Sequence, residues 1–138
     1  TYFNLGLHTS QLGNIKIIEK IRTELKKDKF LLVVDPLAVG ATKYRTSIIK
    51  DMLQKCQPNI IKGNVSEIHY LDKGIFLGKG VDSKNSSVTE DCQLVNIAKN
   101  VALKYNCVVV VTAKKDVVVS PFLSKVAIIN LDLPILTK

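Results

Sequence analysis

Tryptophan is absent from the 138 residues of this chain, and phenylalanine (4) and tyrosine (4) are scarce. The core of the folded protein must therefore be aliphatic, built mostly from Val, Ile and Leu. No apolar stretch approaches the ~20 residues that a membrane-spanning helix needs. No basic start followed by an apolar run and a small-residue cleavage site is visible either. We therefore expect no membrane partner.

Cysteine is also sparse, with three residues, Cys56, Cys92 and Cys107. They show no CxxC spacing and have no histidine cluster near them, so a zinc site is not indicated. An odd number of cysteines in a chain of this length favours reduced, structural thiols. This pattern predicts an intracellular, cytoplasmic protein.

Acidic residues are the minority, with 12 against 20 Lys plus Arg, and the net charge is +8. Residues 1–69 carry 11 basic and 6 acidic side chains and residues 70–138 carry 9 and 6, so the excess is spread evenly. The lysines of residues 16–29 alternate with acidic side chains, which is typical of a solvated helix face. We therefore expect no nucleic-acid partner.

The apolar pattern predicts an α/β domain with a largely parallel sheet. Apolar residues at helical spacing predict a helix over residues 10–27, another starting near Thr46 or Ser47, one around 66–68, and one from a capping box at 87–90 to Tyr105. Apolar runs predict strands at 30–34, 59–61, 107–112, 117–119 and 126–129. The runs at 30–34 and 107–112 are expected to be buried on both faces. Residues 72–88 are polar and rich in Gly, Ser and Asn, which predicts loops.

Unusual residues follow three of the predicted strands, where ligands bind in open α/β sheets. After the first, Asp35 precedes small residues, and a helix N-terminus at 45–47 offers N–H groups to an anion. The alternative is an Asp-Pro turn with a helix cap. After the second, residues 62–67 (Lys-Gly-Asn-Val-Ser-Glu) combine the groups that a Mg-nucleotide site needs. A Gly-Asn turn with Glu67 on a solvated helix is the alternative.

The third strand end, at residues 112–116, offers a hydroxyl and two lysines to phosphate. A hairpin turn that carries lysines explains this segment equally well. The placement of such residues at the ends of three different strands is more informative than any one segment.

These segments resemble the 4-methyl-5-(2-hydroxyethyl)thiazole kinase family, which has a ribokinase-like fold. The resemblance is carried in order along the chain by residues 4–6 (Asn-Leu-Gly), 34–46 (the family's DPvgaGAtpfRT), 62–68 (RGNxxEI), 79–83 (KGVDS), 111–117 (vTGevDvv) and 134–138 (pLLTK). It covers essentially the whole chain. It implies one partial kinase domain, with a central, mostly parallel sheet flanked by helices.

The resemblance also implies an activity and roles for individual residues. The activity is transfer of the γ-phosphoryl group of ATP to the primary hydroxyl of the thiazole, in thiamine biosynthesis or salvage, by a homotrimer with sites between subunits. Asp35 and Glu67 would organise Mg²⁺, and Gly6 would lie near the thiazole alcohol. The residues that would contact ATP are Lys62, Asn64 and Thr112.

The chain departs from the family pattern at four positions. Lys62 stands where the family has Arg, which keeps the charge but loses the bidentate fork. Ala38 replaces Gly, and Ala113 and Lys114 replace Gly and Glu, so an acidic residue becomes basic. These changes leave open a nucleotide-binding or regulatory homologue with impaired catalysis.

The family's catalytic base is expected in a Gly-x-Gly-Cys or Gly-x-Gly-Asp turn beyond Lys138, so no catalytic residue is assigned within this chain. We expect residues 1–138 to be the central part of one kinase domain that lacks its N-terminal and C-terminal segments. A sister vitamin kinase acting on a pyrimidine or pyridoxal alcohol is a third possibility. Lys62-Gly63-Asn64 counts against it, because those kinases usually read Thr-Pro-Asn there.

Overall fold

The computed structural model describes residues 2–3, 12–24, 31–75, 87–122 and 126–130. Within these ranges the chain forms four helices and six strands. The helices are α1 (Leu12–Glu24), α2 (Lys43–Cys56), α3 (Val65–Lys73) and α4 (Ser87–Tyr105). The strands are β1 (Tyr2–Phe3), β2 (Val33–Val34), β3 (Ile60–Asn64), β4 (Val108–Thr112), β5 (Asp116–Val119) and β6 (Val126–Ile129).

The six strands form one sheet in chain order, β1-β2-β3-β4-β5-β6. The first four are parallel, with helices in the connections between them, and β5 and β6 are antiparallel to their neighbours. This confirms the predicted α/β architecture with a mostly parallel sheet. The strands predicted at 117–119 and 126–129 are confirmed as β5 and β6, which pair with each other in antiparallel orientation. Residues 123–125 between them lie outside the described ranges.

The core lies between the helices and the sheet, and it is aliphatic as the composition predicts. The largest fully buried side chains are all Ile, Leu, Val or Met. Helix α2 shows why the sequence produces this arrangement, because its buried residues recur at helical spacing. They are Thr46, Ile49, Met52, Leu53 and Cys56. None of the helices in the described part combines the length and apolar character that a membrane crossing requires.

The first strand was predicted too long, at residues 30–34. Strand β2 comprises Val33–Val34, and Leu31 is 59% exposed rather than buried on both faces. The backbone N–H of Leu32 donates to the side-chain oxygen of Asn59 (3.0 Å), and the carbonyl of Leu32 accepts from the N–H of Asn59 (2.9 Å). The N–H of Ile60 also donates to the carbonyl of Leu32 (3.2 Å), so the ladder to β3 begins at this carbonyl, while the N–H of Leu32 is taken by the side chain of Asn59. Phe30 lies outside the described residues.

The prediction that residues 107–112 are buried on both faces is also wrong. In β4, Val109 and Val111 are fully buried, whereas Val108 and Val110 are half-buried. The burial decreases further along the sheet, since Ile128 and Ile129 of β6 are 48% and 42% exposed.

Helix bounds differ modestly from the predictions. Helix α2 starts at Lys43, three residues before Thr46, and α3 and α4 extend into the predicted 72–88 loop at Asp72–Lys73 and Ser87–Val88. Some predictions fall on residues that the structure does not describe. These are residues 76–86 of the predicted loop, residues 10–11 and 25–27 of the predicted first helix, and the side chains of the predicted capping box at 87–90.

Candidate functional site

The carboxyl ends of β2, β3 and β4 lie side by side, because these strands are parallel neighbours. Val34, the last residue of β2, pairs with Ile61, and Asn64 at the end of β3 pairs with Thr112 at the end of β4. The three segments that stood out in the sequence therefore meet at one edge of the sheet.

The segment after β2 is a compact turn held by its own backbone. The N–H of Val39 donates to the carbonyl of Pro36 (2.9 Å), and the N–H of Ala41 donates to the carbonyl of Ala38 (3.1 Å). Ala38 (φ 54°) and Gly40 (φ 90°) both have left-handed backbone conformations. Such conformations favour glycine, so Ala38 holds a strained position where the resembled family has Gly.

Helix α2 begins directly after this turn, and its first turn is capped by Thr42. The hydroxyl of Thr42 accepts a hydrogen bond from the N–H of Arg45 (3.1 Å). The predicted N-terminus at 45–47 is therefore wrong by one helical turn, because Thr42 supplies a better cap than Thr46. Thr46 is buried instead, and its hydroxyl accepts the N–H of Gly40 (2.9 Å).

Helix α3 begins with a complete capping box formed by Asn64 and Glu67. The side-chain oxygen of Asn64 accepts the N–H of Glu67 (3.0 Å), and Oε2 of Glu67 accepts the N–H of Asn64 (2.9 Å). Oε1 of Glu67 accepts a third hydrogen bond, from the N–H of Ala38 (2.9 Å). Glu67 is only 6% exposed, so it is not on a solvated helix face.

Asp35 follows β2 and is half-buried. Burial raises the pKa of its carboxyl group above the ordinary value, and the nearby charge of Glu67 raises this pKa further. The positive charge of Lys62 acts on the same pKa in the opposite direction. Two carboxylates and one ammonium group therefore interact at this edge of the sheet. No donor among the described residues forms a hydrogen bond to Asp35.

The turn between β4 and β5 is held by two side chains of its own. Thr112 donates its hydroxyl to the carbonyl of Gly63 (3.3 Å), which ties the turn to β3. Oδ1 of Asp116 accepts the N–H of Ala113 (3.1 Å), and Nζ of Lys115 lies 2.8 Å from Oδ2 of Asp91 in α4. Lys115 is thus paired within the protein, whereas Lys114 is exposed.

The chemistry of the acidic pair fits a magnesium ion that keeps most of its water. Mg²⁺ usually binds through one or two carboxylates together with phosphate oxygens. Asp35 offers a carboxylate that accepts no hydrogen bond from the described residues. Each oxygen of Glu67 accepts one N–H bond at 2.9 Å and so retains a lone pair for a water. A cage of three or more His, Cys, Asp or Glu side chains is not found in the described part of the chain.

The sequence prediction named most of these residues but not how they are joined. Asp35, Lys62, Asn64, Glu67 and Thr112 lie together at the strand ends, whereas Gly6 lies outside the described residues, as do residues 79–83. The sequence reasoning missed the bond from Ala38 to Glu67. The Asn-x-x-Glu spacing of a capping box was a readable signal for half of this arrangement.

The sequence reasoning also missed Tyr70, which packs against Gly40. A Cβ atom at Gly40 would lie 2.5 Å from Cδ2 of the Tyr70 ring. Nζ of Lys50 lies over this ring, 5.7 Å from its centroid. No sequence signal links positions 40 and 70, because the contact depends on how α3 packs on the turn.

Comparison with known proteins points to one family. The model of the "Hydroxyethylthiazole kinase family" matches residues 3–137. The hydroxyethylthiazole kinase of Staphylococcus carnosus is 36% identical over 110 residues, which cover 80% of this chain and 37% of that protein. The chain therefore spans a little over a third of the length of this curated relative.

Solved structures agree with this assignment. A hydroxyethylthiazole kinase protein from Pyrococcus horikoshii matches with a TM-score of 0.65 and 26% identity, over 85% of this chain and 40% of that one. Anopheles gambiae adenosine kinase matches with a TM-score of 0.65 and 11% identity, over 99% of this chain and 38% of that one. At this low identity the match shows similarity of fold alone. The described part of the chain thus has the ribokinase-like fold.

Proposed function

The chain belongs to the hydroxyethylthiazole kinase family, and on that premise we propose that the full-length protein transfers the γ-phosphoryl group of ATP to the primary hydroxyl of 4-methyl-5-(2-hydroxyethyl)thiazole. The observation that carries this proposal is the grouping of Asp35, Glu67 and Lys62 at the carboxyl ends of parallel strands. Carboxylates for a metal and a cation for phosphate oxygens are the groups that phosphoryl transfer needs.

Each of these residues has a distinct part in the proposal. Asp35 and Glu67 would hold Mg²⁺ and its waters, and the bound ion supplies charge neutralisation on the phosphates. The ammonium group of Lys62 would face the negative charge of the same phosphates. Asn64 uses its oxygen on Glu67, which leaves its NH₂ group to donate to a phosphate, and the hydroxyl of Thr112 is able to accept from the nucleotide.

The catalytic contribution of these residues is positioning and charge stabilisation rather than covalent chemistry. The base that takes the proton of the hydroxyl is proposed in a Gly-x-Gly-Cys or Gly-x-Gly-Asp turn after Lys138. Gly6 is proposed to lie beside the thiazole.

A coupled assay of ADP release by the full-length protein, with and without the thiazole alcohol, tests the proposal. We expect release that depends on the alcohol and on Mg²⁺. The D35A variant should lose ~10²-fold or more of kcat/KM, on the scale of lost transition-state electrostatics. D51A is the matched control, because Asp51 is an exposed carboxylate on α2 paired with Lys55 (2.9 Å).

Two outcomes would contradict the proposal. ATP binding by calorimetry without turnover would indicate a nucleotide-binding homologue without catalysis. Faster turnover of a pyrimidine or pyridoxal alcohol than of the thiazole alcohol would indicate a sister vitamin kinase.

The assembly and location of the protein are part of the same proposal. Family membership supports a homotrimer with sites between subunits, which light scattering of the full-length protein would test. Cys56 and Cys107 are buried as thiols rather than joined in disulfides, which supports a reducing compartment such as the cytoplasm. Fractionation of cells that express the protein would test this.

A further inference from the structure

Glu67 places a buried carboxylate between the two loops that carry the candidate metal and nucleotide residues. A buried carboxylate is costly unless hydrogen bonds compensate its lost hydration. Here both oxygens accept backbone N–H groups, from Ala38 at Oε1 and from Asn64 at Oε2, each at 2.9 Å. Each oxygen is thus bonded to the backbone before any metal is considered.

The two donors belong to different strand ends. Ala38 lies in the turn after β2, three residues from Asp35, and Asn64 is the last residue of β3, two residues from Lys62. The planar carboxylate of Glu67 therefore sets the distance between the loop that carries Asp35 and the strand end that carries Lys62.

Gly63 provides an independent sign that the backbone is shaped around this carboxylate. A Cβ atom at Gly63 would lie 3.2 Å from Oε2 of Glu67 and 3.3 Å from Cγ of Pro36. The ends of β2 and β3 and the first turn of α3 meet at this point, and a side chain at position 63 would force the carboxylate or its neighbours to shift by a few tenths of an ångström.

We propose that Glu67 is a positioning residue that holds the β2 loop and the end of β3 in one arrangement, whether or not metal or nucleotide is bound. The consequence for phosphoryl transfer rests on the function proposed above, because preorganised charges act without reorganisation during the reaction. A carboxylate is required because two acceptors are needed. Glutamine offers one acceptor, and its NH₂ group would face an N–H donor.

Hydrogen exchange of the full-length protein, free of metal and nucleotide, tests the positioning directly. In E67Q we expect peptides covering residues 36–41 and 62–66 to exchange ~10-fold faster, which corresponds to the loss of one ordinary hydrogen bond. D72N is the matched control, because Asp72 is a carboxylate on the same helix, bonded to Asn100 (3.3 Å) and away from the strand ends. Unchanged exchange in E67Q would overturn the proposal.

Two further variants keep the test informative if E67Q folds poorly. G63A crowds Oε2 without removing the carboxylate and should accelerate exchange in the same two peptides. D35N removes a charge but no hydrogen bond among the described residues, so it should leave exchange unchanged. Accelerated exchange in D35N equal to that in E67Q would show that charge, and not the two hydrogen bonds, holds the loops.

The Mg²⁺ dependence of activity separates positioning from direct ligation. For a positioning role, kcat of E67Q stays low at saturating Mg²⁺, because the loops remain displaced. Full recovery of kcat at high Mg²⁺ would overturn the proposal in favour of simple metal ligation. Absence of any turnover in the wild-type protein would reject the proposed function, and the exchange measurement would still decide the positioning role.

Discussion

Gly40 lies directly against the ring of Tyr70, so closely that a Cβ atom at position 40 would stand 2.5 Å from Cδ2 of the ring. The backbone of Gly40 is left-handed (φ 90°), and its N–H is bonded to the hydroxyl of Thr46. Helices α2 and α3 therefore set the shape of the turn that follows Asp35. A side chain at position 40 would clash with the Tyr70 ring and would also strain the left-handed backbone.

Substitution of Gly40 measures that constraint. G40A should lower the free energy of unfolding by about 2–4 kcal/mol, because left-handed strain and overpacking add. G74A is the matched control, since Gly74 has φ 73° with nothing within 4 Å of its missing Cβ, and it should lose only ~1 kcal/mol. Chemical denaturation measures both. Equal losses would mean that the Tyr70 ring moves aside at no cost.

Ala38 should be improved by glycine, because it is an alanine with φ 54°. A38G relieves ~1–2 kcal/mol of left-handed strain and loses ~0.4–1 kcal/mol through the freer unfolded chain, so we expect a net gain of about 0.5 kcal/mol. A41G is the control. Ala41 is an exposed residue of the same turn without a positive φ, so its change to glycine should destabilise the protein. Thermal unfolding of the two variants should shift in opposite directions.

Arg22 joins α1 to the end of α2. Its Nε donates to the carbonyl of Cys56 (3.0 Å), one terminal nitrogen donates to Oδ1 of Asn59 (2.9 Å), and the other donates to the carbonyl of Gln57. R22K cannot reach all three acceptors, because lysine lacks the planar fork. We expect a loss of about 1–3 kcal/mol by chemical denaturation.

The control for Arg22 is K20M on the same helix. Lys20 pairs with Glu24 at 3.8 Å, and both side chains are largely exposed, so this pair should contribute less than ~1 kcal/mol. A loss in K20M as large as that in R22K would show that helix charge, and not the three hydrogen bonds, stabilises this corner.

The three cysteines should differ sharply in reactivity. Cys56 and Cys107 are buried and Cys92 is exposed. Burial is the largest cause that raises the pKa of Cys56, from 9.0 to about 11, so roughly one molecule in a thousand carries its thiolate at pH 8. Iodoacetamide followed by peptide mapping should label Cys92 in the native protein and all three after unfolding. Rapid native labelling of Cys56 would contradict its burial.

The same pKa predicts how stability depends on pH. Between pH 9.0 and about 11 the folded state keeps the proton of Cys56 that the unfolded state releases. The contribution of the protonated Cys56 thiol to the free energy of unfolding is therefore fully present below pH 9.0 and is lost as the pH rises through about 11. The free energy of unfolding should fall over this range, and it should fall less steeply in C56A than in C92S.

The sequence predicted which residues lie at the candidate site, but it did not predict the hydrogen bonds that join them. Strand ends and residue types placed Asp35, Lys62, Asn64 and Glu67 at one edge, because parallel strands end together. The bond between Glu67 and Ala38 spans 29 positions and depends on the packing of α3 against the β2 turn. No local pattern encodes a contact of that kind.

By itself the sequence determined the class of fold and the order of its elements, because aliphatic runs and helical spacing act over a few residues. It did not determine how far the strands extend or what Glu67 does. Leu31 belongs to an apolar run, yet it is 59% exposed, and the N–H of Leu32 is bonded to the side chain of Asn59, 27 positions away. The sequence left open whether Glu67 is part of a Mg-nucleotide site or lies on a solvated helix. Helix α3 carries it inward, where two backbone N–H groups offset the loss of water. These outcomes were decided by tertiary structure, because hydrogen bonds and burial depend on partners that are distant in the chain.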